Sequence, residues 1–562
     1  MSDTGRIQLD LVGIGDRLLA KPLRVPKYQR SYAWLEKHVE DLFSDLEAAV
    51  KCNQEEYFLG TIVTCDSGDG PPEVVDGQQR LATVTILLAA IRDYFLTLKD
   101  EDKAQKVETE TLFTKGWNSH LIPRLVMNET DNEFFQKRVL TRPSSPERDF
   151  QPLKQSHYRI ASAAQLAARR VTSVVSGNDP IVVLPKWVEY IKESLKVTWV
   201  RVPSDSNAFT IFETLNDRGL ALAKTDLLKN FLFGKASSRL GEVQSYWVSM
   251  VSCIEAVESD EAEELLLTYI RHLWSSKYGL TREKDLYSSI KSAVRSQPDA
   301  LALSVELASK AKLYASIVSP SEDSWRQFSP TARKHMETIN QLRMVQIRPL
   351  VLAVLAHMEP REVEESLRSM VSWVVRFLVH GGLGGGTLEK HYSDRAMEVG
   401  SGVVTTASTL TSKMVDVVPS DEEFKEAFST ATVSKQYLAR YYLRVLEQSL
   451  TGSDQPSFVP NDNPDQVILE HILPVKPSSD WDYIDRDIRE AYVKRFGNMT
   501  LLTKAESEAA GNAGFPTKKA IYAESEFKLS QALAEFGGWN VDEVNKRQRR
   551  LAELAVRAWP LR

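Results

Sequence analysis

The stretch EVVDGQQRLATVTILLAAI, residues 73–91, determines the fold that we predict for the first part of this sequence. Residues 73–75 predict the end of a buried strand, and the dense apolar residues of 81–91 predict a buried helix. Asp76 and Gly77 form a tight break between the two elements. The first turn of the helix then carries three polar side chains, Gln78, Gln79 and Arg80.

This break is a candidate anion site. The N-terminus of a helix has free N–H groups and a partial positive charge, both of which favour phosphate. Arg80 adds a planar fork for phosphate oxygens, and Asp76 is placed to hold a metal ion or to orient a water molecule. The alternative, which the local pattern alone favours, is that Asp76 is an ordinary helix N-cap followed by polar first-turn residues.

Composition limits the class of protein. A chain of 562 residues predicts about two to four domains. The hydrophobic content of 43% and charged content of 26% are typical of soluble globular proteins, and neither a long apolar run nor a signal peptide is evident. The three distant cysteines predict a reducing cytoplasm and exclude a cysteine-based zinc site. A net charge of −6 means that any DNA contact must use local basic patches.

Five segments occur in order and carry a resemblance: PKYQRSYAW, YFLGTIV, VVDGQQRLATVTILL, PRLVMNETDNEFF and IFETLNDRGLALAKTDLLKN. Together they resemble the N-terminal domain of the GmrSD-type, modification-dependent (type IV) restriction proteins, a group that includes the phosphorothioate-sensing effector SspE. The resemblance implies a ParB/sulfiredoxin-like α/β domain that hydrolyses a nucleoside triphosphate, with GTP as the favoured nucleotide.

The resemblance also implies roles for particular residues. Asp76 and Arg80 become catalytic candidates, and the nucleotide-binding candidates are Asp76, Gly77, Gln78, Gln79, Arg80, Gln29 and Arg30. Residues 216–218 (Asn-Asp-Arg) have two equal interpretations. They have a functional role, or they are a polar helix end that packs on a neighbouring element.

The resemblance also implies that modified DNA is read by the N-terminal domain near the extended segment at residues 26–34. Tyr28, Tyr32 and Trp34 would offer apolar faces to a sulfur atom or a base, and Lys27 would hold a neighbouring phosphate, as would Arg30. The alternative is that these aromatic residues pack the segment onto the domain core.

The C-terminal part contains a second set of polar residues. Residues 467–474 (VILEHILP) predict a short strand with Glu470 and His471 near its end. The spacing of His471, Asn498 and Asn512 fits a small ββα element. A neutral imidazole can take a proton from water, a divalent ion can stabilise the leaving oxygen, and a cation such as Lys518 can neutralise phosphate.

This part resembles the HNH (His-Me finger) nuclease domain that is fused to the same N-terminal domain in that family. The resemblance implies that His471 is the general base and that Glu470 and Asn512 are metal ligands. It also implies that Asn498 holds in place the loop that follows His471, which we call the histidine loop. Lys518 would meet phosphate. Oxygen ligands favour Mg²⁺ or Mn²⁺ over zinc. The alternative is a strand end with a buried, satisfied histidine.

The last helix has its own start signal, in which Asn540 and Glu543 form a capping-box-like pair and Trp539 can pack on Val544. The helix carries Arg547 and Arg550 in a basic cluster that would contact DNA phosphates, or that is simply a solvated helix face.

We therefore predict a predominantly helical α+β protein in three parts. Residues 1–233 would form the NTPase and sensing domain, residues 234–450 a helical coupling region, and residues 451–562 the ββα-metal (HNH) nuclease domain after a polar linker. The predicted function is a cytoplasmic, Mg²⁺-dependent anti-phage endonuclease that acts on DNA, depends on NTP and has the potential to form homo-oligomers. The alternatives are a non-catalytic ParB-like DNA clamp and an RNA-cutting toxin.

Overall fold

The structure is a computed structural model that describes residues 8–15, 21–65, 70–115, 121–202, 224–258, 261–381, 385–451, 463 and 466–561. Residues 216–218 and most of the predicted linker at 451–465 lie outside the described residues. The described chain is predominantly helical with small sheets, which confirms the predicted α+β class. In the described part of the chain, no helix is both long and apolar enough to cross a membrane.

The described strands form one mixed six-stranded sheet and two antiparallel two-stranded sheets. They are β1 (Gln8–Gly13), β2 (Leu23–Arg24), β3 (Tyr57–Cys65), β4 (Glu73–Asp76), β5 (Phe113–Lys115), β6 (Leu121–Pro123), β7 (Leu125–Val126), β8 (Leu195–Val202), β9 (Val467–His471) and β10 (Met499–Thr503). The six-stranded sheet has the order β1-β8-β3-β4-β2-β7, and β9 pairs with β10 and β5 with β6. The long strand β3 is parallel to β8 and antiparallel to β4.

Helices make up most of the remaining described residues. They are α1 (Glu36–Lys51), α2 (Gln78–Thr97), α3 (Glu101–Val107), α4 (Asn132–Phe135), α5 (Gln155–Val175), α6 (Pro180–Glu189), α7 (Lys224–Ala236), α8 (Leu240–Glu255), α9 (Ala262–Tyr278), α10 (Leu286–Ala293), α11 (Gln297–Val318), α12 (Pro330–Gln341), α13 (Arg348–His357), α14 (Pro360–His380), α15 (Gly385–Gly400), α16 (Ala407–Ser412), α17 (Asp421–Thr430), α18 (Gln436–Thr451), α19 (Arg486–Tyr492), α20 (Lys504–Ala510), α21 (Phe515–Ala523), α22 (Lys528–Gln531) and α23 (Val541–Ala558). Short π-helices occur at Glu108–Leu112, Gln136–Leu140 and Tyr190–Ser194, and 3-10 turns at Pro146–Asp149, Ser237–Arg239, Val345–Ile347, Ser479–Trp481, Phe496–Asn498 and Ala532–Glu535.

The strand, break and helix predicted at residues 73–91 are present as β4, Gly77 and α2. Gly77 has a φ of 93°, a conformation that residues with a Cβ atom rarely adopt. A Cβ atom at this position would also lie 2.8 Å from Cγ1 of Ile62. Glycine is therefore required here both by the backbone conformation and by the close approach of β3.

The chain divides into two compact units. Unit 1 comprises residues 1–271 and 282–312, and unit 2 comprises residues 272–281 and 313–562. The core of the six-stranded sheet in unit 1 includes α2, whose apolar side chains are almost all buried. The predicted three-part division stays a prediction.

In unit 2, helix α18 packs against both strands of the β9–β10 pair and against α22. The final helix α23 packs against α17 and α18. Arg376 of α14, which is fully buried, donates hydrogen bonds to the carbonyl oxygens of Trp559 and Pro419, each at 2.9 Å. The C-terminal elements are therefore tied to helices that precede residue 451.

Candidate functional site

Asp76 lies at the end of β4, directly before the left-handed Gly77. Gly77 is the N-cap of α2. The alternative interpretation, in which Asp76 is an ordinary helix N-cap, is therefore wrong in its choice of residue. Burial raises the pKa of Asp76, while the positive charges of Arg80 and Arg30 oppose this shift. The negative charge of Asp226 raises the pKa further, which means that a second carboxylate is close by.

Gln29 joins three segments of unit 1. Its Nε2 donates to the carbonyl oxygen of Val75 at 2.6 Å, directly beside Asp76. Its Oε1 accepts hydrogen bonds from Lys229 Nζ at 3.1 Å and, more weakly, from Gln78 Nε2 at 3.5 Å. The predicted nucleotide residues Gln29 and Gln78 are thus brought together, and α7 joins them through Lys229.

Arg30 is paired with two carboxylates. Its Nη1 lies 2.8 Å from Oε2 of Glu263, and its Nε lies 3.5 Å from Oδ2 of Asp226. Burial lowers the pKa of Arg30, but these two carboxylates raise it by more. Asp226 also holds Lys229 at 2.7 Å, and although burial raises the pKa of Asp226, the charges of Lys229 and Arg30 lower it below the ordinary value.

The guanidinium of Arg80 packs close to the backbone of Gly60, where a side chain would crowd it. Its Nη1 donates to the carbonyl oxygen of Thr61 at 3.2 Å, and its guanidinium would lie 3.3 Å from a Cβ atom at Gly60. Gly60 has a φ of 119°, so both its conformation and its small size suit this position. We call Arg30, Asp76, Arg80, Asp226, Lys229 and Glu263 the N-terminal cluster.

Gln79 holds the extended segment rather than facing open solvent. Its Oε1 accepts from the Ala33 N–H at 2.9 Å, and its Nε2 donates to the carbonyl oxygen of Ser31 at 3.2 Å. The first turn of α2 therefore fixes the course of residues 26–34. Gln79 is buried by these contacts, and its part in nucleotide binding stays a prediction.

The predicted DNA-reading residues of this segment differ in exposure. Tyr32 is in the core, where its hydroxyl hydrogen-bonds Thr83 at 2.7 Å, and the ring of Tyr28 packs edge-on against Phe233. Trp34 is half-buried beside the core, and Lys27 is exposed and pairs with Glu129 at 2.7 Å. For Tyr28 and Tyr32 these surroundings favour the alternative of core packing.

Sequence reasoning did not assign Asp226, Lys229 and Glu263 to this site. A signal for the first two exists, because Asp226 and Lys229 are three residues apart in the segment TDLLKN and so share one face of α7. Glu263 lies beyond the resembling segments, at the start of α9. Nothing in its local sequence indicates that it meets a residue 233 positions earlier.

The C-terminal candidates are assembled by the antiparallel pair β9–β10. His471 is the last residue of β9 and lies opposite Met499, and Glu470 lies opposite Thr500. Burial lowers the pKa of His471, and the positive charge of Lys518 lowers it further. A neutral imidazole is thereby favoured, which is the form that a general base needs.

Asn498 bridges the turn after His471. Its Oδ1 accepts from the Leu473 N–H at 2.8 Å, and its Nδ2 donates to the Leu473 carbonyl oxygen at 3.0 Å. Trp539 Nε1 donates to the same Oδ1 at 3.0 Å. This side chain is fully buried, so it acts on the histidine loop and not on a substrate.

Lys518 and Glu470 form a buried ion pair. Nζ of Lys518 lies 2.5 Å from Oε1 of Glu470 and 3.0 Å from the carbonyl oxygen of His471, and the lysine side chain is fully buried. Burial raises the pKa of Glu470 and lowers that of Lys518, and the attraction within the pair opposes both shifts. Lys518 was predicted to contact phosphate. In the structure it is buried and bound to Glu470 and to the backbone of His471.

Asn512 is exposed on the loop between α20 and α21. That loop is tied to the residues after the histidine loop, because Ser478 Oγ donates to the Asn512 carbonyl oxygen at 3.0 Å and Trp481 Nε1 donates to that of Ala513 at 3.1 Å. Among the described residues, no group of three or more His, Cys, Asp or Glu side chains could hold a metal ion. Glu470 and Asn512 each carry an oxygen of the kind that Mg²⁺ prefers, and a metal ion held by them stays a prediction.

The two arginines predicted to contact DNA lie in different environments. Arg547 is buried, and its Nη1 donates to the carbonyl oxygens of Gly497 and Met499, each at 2.7 Å. Burial lowers the pKa of Arg547 to about 10. Enclosed in this way, Arg547 has no face for a DNA phosphate, whereas Arg550 is exposed and pairs with Glu535 at 3.0 Å.

Comparison with family models gives two matches. Residues 13–233 match the N-terminal domain of the GmrSD restriction endonuclease, and residues 418–554 match the C-terminal domain of the GmrSD restriction endonucleases. No curated protein matches the chain. The N-terminal match contains Gln29, Arg30, Asp76, Arg80, Asp226 and Lys229, and the C-terminal match contains β9 and β10 with His471. With both domains matched in order, the chain belongs to the family of GmrSD-type restriction endonucleases, whose partner is DNA.

Proposed function

We propose that this chain is an HNH-type DNA endonuclease of anti-phage defence, whose cleavage is governed by nucleoside triphosphate hydrolysis and by modification of the DNA. The observation that carries the nuclease part is the position of His471 at the end of β9, with a lowered pKa and with Asn498 holding the loop that follows. In this role the imidazole of His471 takes a proton from the attacking water.

A divalent metal belongs to this proposal. Glu470 and Asn512 would hold Mg²⁺ or Mn²⁺, which when bound would stabilise the oxygen that leaves in phosphodiester cleavage. Because Lys518 already neutralises Glu470 at 2.5 Å, any cation at this carboxylate competes with the lysine. Lys518 itself fixes the Glu470 side chain and the backbone of His471.

The nucleotide part rests on the N-terminal cluster. Arg30, Arg80 and Lys229 provide cations for phosphate oxygens, and Asp76 is a carboxylate beside a helix N-terminus. Gln29 links this cluster to the segment that would read modified DNA. A triphosphate, with GTP favoured, and modified DNA would thus act on neighbouring residues of one domain.

One assay tests the proposal. The full chain is incubated with Mg²⁺ and with plasmids that carry phosphorothioate linkages, modified bases or neither, in the presence of GTP, ATP or no nucleotide. Cleavage that depends on both the nucleotide and the modification is expected. A protein that hydrolyses nucleotide and retains DNA but never cuts it would be a clamp, and one that cuts only RNA would be a toxin.

Variants separate the two activities. Asp76→Ala and Arg80→Ala should each abolish nucleotide turnover, since the site loses its acid or its phosphate fork. Normal turnover by both folded variants would move the phosphate site elsewhere. The cytoplasmic location and a homo-oligomeric state stay predictions.

A further inference from the structure

Arg30 is the cation of the N-terminal cluster that has two acidic partners from outside its own segment. Asp226 comes from α7 and Glu263 from α9, which begins after the matched N-terminal domain ends at residue 233. Oε1 of Glu263 also accepts a hydrogen bond from Thr225 Oγ1 at 3.3 Å. Glu263 is thereby held by two residues of the family domain while belonging to a helix outside it.

The charges of the cluster balance. The carboxylates of Asp76, Asp226 and Glu263 face the cations of Arg30, Arg80 and Lys229. A nucleoside triphosphate is strongly anionic and needs a cation that is not already neutralised. Phosphates that bind at Arg30 must therefore compete with the two carboxylates that already hold it.

Glu263 is the carboxylate that leaves most easily. Its side chain is 44% exposed, so water can solvate it as soon as the contact with Arg30 breaks. Asp226 is 13% exposed and holds both Arg30 and Lys229, so its displacement would leave a poorly hydrated charge. Arg30 keeps one partner, Asp226, when Glu263 departs.

We propose that Glu263 occupies the guanidinium of Arg30 while the site is empty and that a nucleoside triphosphate takes its place, so that Glu263 restrains nucleotide binding. This inference rests on the proposed nucleotide site and adds its regulation. The helix that carries Glu263 contributes residues 262–271 to unit 1 and residues 272–278 to unit 2. Release of Glu263 therefore frees the first turn of an element shared by the unit that binds nucleotide and the unit that contains His471.

The test is the affinity of the full chain for a fluorescent, non-hydrolysable GTP or ATP analogue in the presence of Mg²⁺. Glu263→Gln should lower the Kd by about fivefold, the range of a partly exposed ion pair. Its amide oxygen still accepts from Thr225, so the start of α9 is kept. Glu264→Gln, which removes the same charge from the next, exposed position of α9, should leave the Kd unchanged.

A double variant shows whether the effect acts through Arg30. Arg30→Ala should weaken binding, and Arg30→Ala with Glu263→Gln should bind no better than Arg30→Ala alone, because Glu263 then has no cation to occupy. An unchanged or raised Kd in Glu263→Gln, or equal gains in both Arg30 backgrounds, would overturn the inference while leaving the nucleotide site intact. Absence of nucleotide binding by the unmodified chain would overturn the proposed nucleotide site and this inference together.

Discussion

The N-terminal cluster and the C-terminal site hold their charges in opposite ways. In the cluster, Arg30 and Glu263 are 233 positions apart in the chain, and their side chains are 35% and 44% exposed. In the C-terminal site, Lys518 and Glu470 are 48 positions apart, and their side chains are 0% and 11% exposed. The first arrangement is distributed and partly hydrated, and the second is local and dry.

The difference indicates which site can change state. A partly hydrated ion pair contributes little to stability and can exchange its partner for a ligand. A dry pair holds its geometry, because separating its members leaves an uncompensated charge in the protein. We therefore expect the N-terminal cluster to respond to ligands and the C-terminal site to hold His471 in a fixed position.

The largest expected effect is at His471. His471→Ala should lower the rate of DNA cleavage by about 10²–10⁴-fold, since a positioned general base is lost. Nucleotide hydrolysis should be unchanged, because the N-terminal cluster keeps all of its residues. His380→Ala, which removes an exposed histidine from the same unit, is the control and should cut normally. Cleavage at the normal rate by folded His471→Ala would remove the assignment of His471 as the general base.

The buried pair gives the next effect. Lys518→Met should lower the free energy of unfolding of unit 2 by about 3–5 kcal/mol, because Glu470 is left as a buried, unpaired carboxylate. The double variant Lys518→Met, Glu470→Leu should be more stable than Lys518→Met. Denaturant unfolding followed through the tryptophans of unit 2 measures both. A loss no larger than that caused by Glu263→Gln in unit 1 would break the contrast between dry and hydrated pairs.

Gly77 tests the backbone beneath the N-terminal cluster. Gly77→Ala should cost about 1–3 kcal/mol, since the backbone is strained and the new methyl group meets Ile62. Hydrogen exchange of the α2 amides should quicken accordingly. Gly177 has a φ of 77° with nothing within 4 Å of the position that a methyl group would take, so Gly177→Ala isolates the cost of the conformation. Equal costs at the two glycines would mean that the approach of β3 is unimportant.

The smallest effect is expected at the surface of the extended segment. Lys27→Ala should leave thermal unfolding unchanged, because the contact between Lys27 and Glu129 is exposed on both sides. If the segment reads DNA, the slope of log affinity against log salt should decrease in magnitude by about one for the lost phosphate contact. Glu129→Gln should have the opposite effect on affinity, since it frees Lys27. An unaltered salt slope in both variants would place the reader elsewhere.

Much of the fold was predictable because it follows from local pattern. The apolar run of residues 81–91 and the glycine before it predicted α2, and the prediction was confirmed. Asn540 caps α23 as predicted, with its Oδ1 accepting from the Glu543 N–H at 3.1 Å. The proximity of Asn498 to the loop after His471 follows from the antiparallel pairing of β9 and β10, because Asn498 directly precedes β10.

The remainder depends on contacts between distant segments. The sequence pattern at residues 26–34 does not distinguish a tyrosine that faces DNA from one that packs on Thr83, as Tyr32 does. Arg547 lies in a run of basic residues, yet the helix face that carries it is the one that docks on β10. The contact of Glu263 with Arg30 joins residues 233 positions apart, so predicting it would require the path of the chain through the first unit.

The docking of α23 has a consequence for the timing of synthesis. Trp539 and Arg547 supply hydrogen bonds to Asn498, Gly497 and Met499, and Trp559 supplies the carbonyl that Arg376 needs. These residues are translated after both β9 and β10, and at about 5–20 residues per second they follow within seconds. A nascent chain on the ribosome thus lacks the supports of the histidine loop until the residues of the N-terminal cluster have long been made. The proposed cutting site would therefore be assembled only once the residues proposed to govern it have been made.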